Sequence, residues 1–456
     1  MTASAAAAQA PAPLPTSRAL ARRAGWGLVD QALSASTNVA VFFVVAHQVD
    51  LRGLDSFAIA FYVFTLLIGV ERALVGQIFG VRYSGTQGAP WRRAAGEGLG
   101  AVLVGTSVAS TVMVVVAVTV LPSPLRQTMM AAAAVMPFLL LQDACRMAFF
   151  SQGQPHVAAL NDFVWAVVQL GATAVLLAQG KGDAPDLVAV WGLSAGLATA
   201  LALVQLRVLP NPAGATAWIG RTWSVSAFLL AEYLLGAGAF NGGFLAVGAL
   251  VDDGAVASIR GAQVLLGPLF ILNAAVLTFS LPEVARRPTM PGRRRWQVAL
   301  GITTGMLVIS LGYTAVLLTV PDSIGSWLFR DDWSLAHAVL VPVAIGTAAA
   351  GAAAGPAVVI YGMAMTRQAI RVMYVEAPLV FAMLIGGALL GGVVGAAWGL
   401  ALDQLLMLPM WYLVLRRCLA LRGEPDDAVP STGIGGAAGS ARLVASDDRA
   451  QRTGAA

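Results

Sequence analysis

Ionisable residues stand inside stretches of this sequence that are otherwise apolar, among them Arg72 with Glu71 beside it, Arg146, Arg260, Arg371, Asp30, Asp162, Glu232, Glu376, Asp403 and the Asp143 that precedes Arg146 by three. Charges at membrane depth are costly, so they face a bundle interior or a water-filled cavity, where they hold each other, an ion or a polar solute. No nucleophile–base pair, phosphate-cradling GxxxxGK or metal-spaced Cys/His group accompanies them, so no catalytic residue, cofactor or metal site is expected. The three histidines, His47, His156 and His337, fall near span ends, and two cysteines, Cys145 and Cys418, make no disulfide framework.

The spacing of each charge separates its options. Asp30, Ser34 and Thr37 share one helical face, as do Asp162, Trp165 and Gln169; Arg260, Gln263, Gly267, Ala274 and Thr278 make a third stripe of polar and small residues. Three such stripes predict a hydrated internal cavity, against the alternative of polar helix–helix contacts. Arg146 has Asp143 one turn earlier, which predicts an internal ion pair. Glu71 and Arg72 are neighbours about 100° apart around the helix, so Arg72 needs a carboxylate across the bundle or a bound anion. Arg260 has no acid within one turn and is the first candidate for an anion contact, with snorkelling to the interface as the alternative. Arg371 stands near a span end and can also snorkel. Arg260, Arg72, Arg146, Arg371, Gln263, Asp30 and Asp162 are the candidate cavity residues; Glu232, Glu376 and Asp403 are either partners of arginines or sites that bind H⁺ or Na⁺.

These residues require membrane-spanning elements to hold them. Of the 456 residues 58% are hydrophobic and 11% charged, and mean hydropathy is +0.77, far from the usage of soluble domains. Twelve apolar runs, at 25–47, 55–79, 96–121, 128–151, 156–179, 186–206, 223–250, 254–281, 297–320, 335–363, 368–391 and 394–416, are long enough to cross a bilayer. Arginines gather in alternate connections, with Arg18, Arg22, Arg23, Arg82, Arg92, Arg93, Arg207, Arg221, Arg286, Arg287, Arg293, Arg294, Arg295, Arg367, Arg416, Arg417 and Arg422 on one side and only Arg52, Arg126, Lys181 and Arg330 on the other. The positive-inside rule puts both termini in the cytoplasm and excludes a nucleic-acid reading of the net charge of +5. A short interfacial helix is expected at Ser323–Trp333, with Trp327 and Trp333 at headgroup level. The expected fold is all-α: about twelve transmembrane helices in two six-helix lobes around a central cavity. It divides into a disordered N-terminus (1–17), a first lobe (18–206), a cytoplasmic linker (207–222), a second lobe (223–420) and a disordered cytoplasmic tail (421–456).

The segments WGLVDQALSASTN, DLRGLDSFAIAFYVF, SQGQPHVAALNDFVW and RGAQVLLGPLFILNAAVLTFSLPEVARR resemble the polysaccharide and O-antigen flippase branch of the multidrug/oligosaccharidyl-lipid/polysaccharide (MOP) exporter superfamily, over about residues 20–420. That resemblance implies alternating access and movement of a polyprenyl-diphosphate-linked saccharide from the cytoplasmic to the outer leaflet of a bacterial cytoplasmic membrane. Membrane lipids, polysaccharide glycosyltransferases and a polymerase are the implied partners. The alternatives are an H⁺- or Na⁺-coupled multidrug antiporter worked by Asp30, Asp162 and Glu232, and a membrane assembly protein that does not transport.

Overall fold

The computed structural model describes residues 37–422, except 38, 85, 252, 253, 286, 288 and 330–332. No strand occurs among them. Backbone groups in hydrocarbon must be satisfied within the protein, and a helix does so along its own length. Helix α1 (Val39–Gln48) is the described end of the first apolar run. The first lobe continues with α2 (Leu51–Tyr83), α3 (Gly88–Thr119), α4 (Leu125–Ser151), α5 (Pro155–Ala178) and α6 (Ala184–Leu206). The second comprises α7 (Pro212–Leu250), the bent pair α8 (Ala255–Leu265) and α9 (Gly267–Ala285), α10 (Gly292–Leu318), the short α11 (Asp322–Phe329), α12 (Trp333–Gly362) and α13 (Thr366–Leu421).

Helix α13 is too long for one span. It reverses at Gly391 and Gly392, the latter at φ +59°, a left-handed conformation that only glycine adopts without cost. The two arms, 366–390 and 393–421, lie so close that a side chain on Gly387 would run into the backbone of Gly395. Counting the arms separately and α8–α9 as one broken span accounts for all twelve runs.

The lobes repeat in burial as well as in order. In α4, the fourth span, 72% of the most apolar window is buried, and in α12, six spans later, 78%; their predecessors α3 and α10 have 22% and 17%. The fourth helix of each lobe is therefore central and the third faces lipid. Buried residues of α4 include Leu139, Leu140 and Phe149, and Val339, Leu340 and Ile360 are their counterparts in α12.

Several boundaries differ from those read in the sequence. Residues 212–222 of the expected linker are the start of α7: Trp218 is fully buried, stacked on Tyr83 of α2, and its Nε1 donates to the carbonyl of Leu74 at 3.1 Å. The eighth span bends by 60° after Leu265, where Pro268 withholds a backbone donor, so the stripe from Arg260 to Thr278 is broken between two directions. The short helix is described over Asp322–Phe329, and Trp333 is buried, stacked on His337 and donating from Nε1 to Asp322 at 2.9 Å. Its ring packs into protein, not among headgroups.

Helix α2 joins the lobes, and two of its contacts stand near its ends. Near its start, Asp55 Oδ1 accepts from the backbone N–H groups of Val256 and Ala257 at 3.0 Å each, capping α8 from across the interface. Near its other end a π-helical turn, Arg72–Gly76, presents Leu74 O to Trp218 and, at 3.5 Å, to Ser226 of α7.

Candidate functional site

A cavity of about 690 Å³ lies between α2 and the second lobe. Helix α2 contributes Phe61, Tyr62 and Thr65; the opposite walls come from α7, α8, α9, α12 and both arms of α13. Among the described residues α2 is the first-lobe helix that lines it. The volume falls within the usual range for small-molecule pockets.

The cavity has two charged poles. Arg260 is five residues into α8, about 8 Å along the helix from its start. Its guanidinium lies 3.9 Å from the centre of the Phe61 ring. Among the described residues it makes no ion pair, and its Nε makes no hydrogen bond. Phe61 in turn stacks on Trp191 of α6 at 6.1 Å, so the cation is held on an aromatic support that belongs to the other lobe. Gln263, one turn on, accepts from Tyr62 Oη at 2.8 Å. Asn273 Oδ1, also in the lining, is buried without a hydrogen-bond partner among the described residues. Arg260 and Gln263 give the cavity wall a polar stretch on α8, and Asn273 adds a polar group on α9 beyond the bend.

Glu376 marks the other pole. Gln404 of the second α13 arm donates from Nε2 to Glu376 at 3.2 Å and to Asp403 at 2.7 Å, bridging the two acids. Asp403 is fully buried and its Oδ1 is unpartnered among the described residues. Glu232 of α7 accepts from Tyr361, a lining residue, at 3.4 Å. Of the three candidate ion-coupling acids only Glu376 is in the cavity wall; Asp403 is tied to it through Gln404, and Glu232 reaches the wall through Tyr361. Between the poles the wall is apolar and aromatic, with Phe240, Phe244, Phe270 and Trp411.

The other sequence candidates go elsewhere. Arg72 and Arg146 converge on Asp143 inside the first lobe: Arg72 binds it through Nε at 2.7 Å and Nη2 at 2.8 Å, Arg146 through Nη2 at 2.9 Å. Arg146 also approaches Asp162 at 3.7 Å, and Asp162 accepts from Gln142 at 2.6 Å. Arg72, Arg146 and Asp162 thus belong to a first-lobe ion-pair network and are absent from the cavity lining. Arg371 is exposed near the start of α13 and bonds Gln368 at 3.1 Å, in line with snorkelling. Asp30 lies outside the described residues.

Three functional contacts escaped sequence reasoning: the Asp55 cap on α8, Tyr62 as the holder of Gln263, and an ion pair between Glu97 of α3 and Arg221 of α7. Only Glu97 carried a local signal, its position four residues after Arg93, which it also meets at 3.2 Å. The others depend on pairs about two hundred residues apart.

No family model matches the sequence, and no curated protein matches it. Solved structures do match. The lipid II flippase MurJ, in an inward closed conformation, superposes with TM-score 0.63 at 13% identity, over 90% of this chain and 88% of that one. An inward-facing multidrug resistance MATE family transporter of the MOP superfamily gives 0.62 at 12%, over 87% and 96%. This chain has their fold. A MOP superfamily transporter from Pyrococcus furiosus, described as having a binding pocket of reverse polarity, gives 0.57 at 10%, over 90% and 97%. At these identities the likeness concerns architecture, and what the site binds has to be argued from its own residues.

Proposed function

We propose that this protein is a membrane transporter that moves a polyprenyl-diphosphate-linked saccharide from the cytoplasmic to the outer leaflet of a bacterial cytoplasmic membrane by alternating access. What carries the reading is Arg260, a guanidinium in the cavity wall without a carboxylate partner among the described residues. A planar fork of donors suits a diphosphate, whose water it replaces with charge-assisted hydrogen bonds. Gln263 and Asn273 add neutral polar groups to the same cavity wall, the aromatic walls accommodate sugar faces, and the lipid tail can stay in the bilayer. The bias of arginines to one end of the bundle supports cytoplasmic termini.

A second reading rests on Glu376. An acid in an aromatic-walled cavity suits an organic cation, with Glu232, Glu376 and Asp403 binding H⁺ or Na⁺ in exchange. The two readings separate in proteoliposomes. A flippase translocates a fluorescent undecaprenyl-diphosphate-linked sugar, and Arg260→Gln lowers its initial rate at least tenfold while Glu376→Gln has the smaller effect. Efflux of an organic cation that fails in Glu376→Gln and survives in Arg260→Gln would establish the antiporter instead. Transport of neither probe would favour a role in assembling membrane complexes with glycosyltransferases or a polymerase.

A further inference from the structure

Arg260 and Glu376 bring opposite charges to the wall of one cavity and do not meet. Arg260 rests on the Phe61 ring at 3.9 Å, and Glu376 accepts from the neutral amide of Gln404 at 3.2 Å; neither makes an ion pair among the described residues. Both side chains are part-exposed. They also stand at different depths. Arg260 is about 8 Å along α8 from the end of the bundle where α7 finishes. Three crossings later α13 starts from the opposite end, and Glu376, ten residues into its first arm, is about 15 Å from that end. The arm is about 37 Å long, so roughly 10–15 Å of depth separates the two charges.

A ligand with one charge leaves half of this arrangement uncompensated. A diphosphate on Arg260 leaves Glu376, with the buried Asp403 behind Gln404, facing no cation. An organic cation on Glu376 leaves the guanidinium facing no anion. Charge withdrawn from water and left unpaired is costly, so each pole favours a ligand that also satisfies the other. The wall between them, with Phe240, Phe244, Phe270 and Trp411, offers faces for a sugar ring and no competing charge. The same arrangement works against acidic sugars, because a ligand carboxylate would stand against Glu376.

We propose that the saccharide carried by this protein bears a free amino group, whose ammonium binds Glu376 while the diphosphate binds Arg260. The inference rests on the flippase reading and adds to it the charge of the sugar. Arg260 then sets affinity for every diphosphate-linked lipid, and Glu376 sets the choice among sugars.

Two synthetic lipids test it: undecaprenyl-diphosphate glucosamine, with a free amine, and its N-acetyl counterpart, which has lost that charge. Their binding to the full-length protein in detergent is measured in mildly acidic buffer, where the sugar amine is charged. The wild type should bind the amino lipid about tenfold more tightly or better. Glu376→Gln should bring the two lipids to nearly equal affinity, and Glu376→Asp, which keeps the charge, should retain part of the preference. Arg260→Gln should weaken both lipids by a similar factor and leave their ratio in place. Equal affinity in the wild type, or a preference that survives in Glu376→Gln, would overturn the inference and leave the flippase reading standing. Failure of the wild type to bind either lipid would remove both. Excess phosphatidylethanolamine, which carries a phosphate and an ammonium on a phospholipid, should not displace the amino lipid; displacement would put a membrane zwitterion in the cavity and overturn the assignment to a saccharide.

Discussion

Arg260 and Arg146 are both arginines within apolar helices, yet their replacement by glutamine has opposite consequences. Arg146 is bonded to Asp143 and adjoins Asp162, and all three are buried. Removing one partner of a buried pair costs about 3–5 kcal/mol, because the other charges remain without compensation. Arg146→Gln should therefore lower the midpoint of unfolding in detergent markedly. Arg260 has only an aromatic face, worth about 0.5–2 kcal/mol, and its burial without an ion partner opposes that gain. Arg260→Gln should leave the midpoint close to the wild type. Its loss appears in ligand affinity: a hydrogen bond from a charged donor contributes about 1.5–3 kcal/mol, or about tenfold to 150-fold in dissociation constant. The assay pairs thermal unfolding with binding of an undecaprenyl-diphosphate-linked sugar to each variant in the same detergent. If Arg260→Gln destabilised the protein as much as Arg146→Gln, or left binding unchanged, the division into a cavity cation and structural cations would be refuted.

A double-mutant cycle on Arg146→Gln and Asp143→Asn tests their buried pair: the charge that either single change leaves behind is absent from the double variant, so the double should be destabilised by less than the sum of the singles, by about 0.5–3 kcal/mol. Simple additivity would contradict it. Asp55→Ala removes the cap from two N–H groups of α8, at a cost of about 1–2 kcal/mol, and should weaken closure between α2 and α8; a cysteine introduced by Gln263→Cys should then react several-fold faster with an impermeant maleimide added from the outer face. Gly387→Val places atoms where the backbone of Gly395 runs, so the arms of α13 must part, and the yield of monodisperse protein should fall sharply. Leu389→Val, on the lipid-facing side of the same arm, should leave it unchanged.

How much could be read in the sequence followed from how local each cause was. The bilayer demands runs of a fixed length and places arginines on one side, so the number of spans and their alternation were legible without contacts. The Arg146–Asp143 pair was legible because one helical turn joins its members. The sequence also showed that Arg72 needed a partner, but the two candidates, a carboxylate or a ligand, differ only in what stands across the bundle. The fold brings Asp143, seventy-one residues away, to 2.7 Å and so removes Arg72 from the cavity candidates. Glu71 shows the converse. Helical geometry already turned it away from Arg72, but only the fold shows it buried with no hydrogen-bond partner among the described residues.

By itself, then, the sequence determined an all-helical membrane protein of about twelve spans, its polar faces and the isolation of Arg260 along its own helix, since each of these depends on periodicity within a single segment. The tertiary structure decided which charges share a space. The bend at Pro268, the reversal at Gly392 and the packing of α7 on the π-helical turn of α2 place Arg260, Glu376 and Gln404 around one cavity and enclose Arg72, Arg146 and Asp162 in another part of the molecule. The physical reason is that a charge inside a membrane protein is defined by its partners, and those partners come from helices distant in the chain.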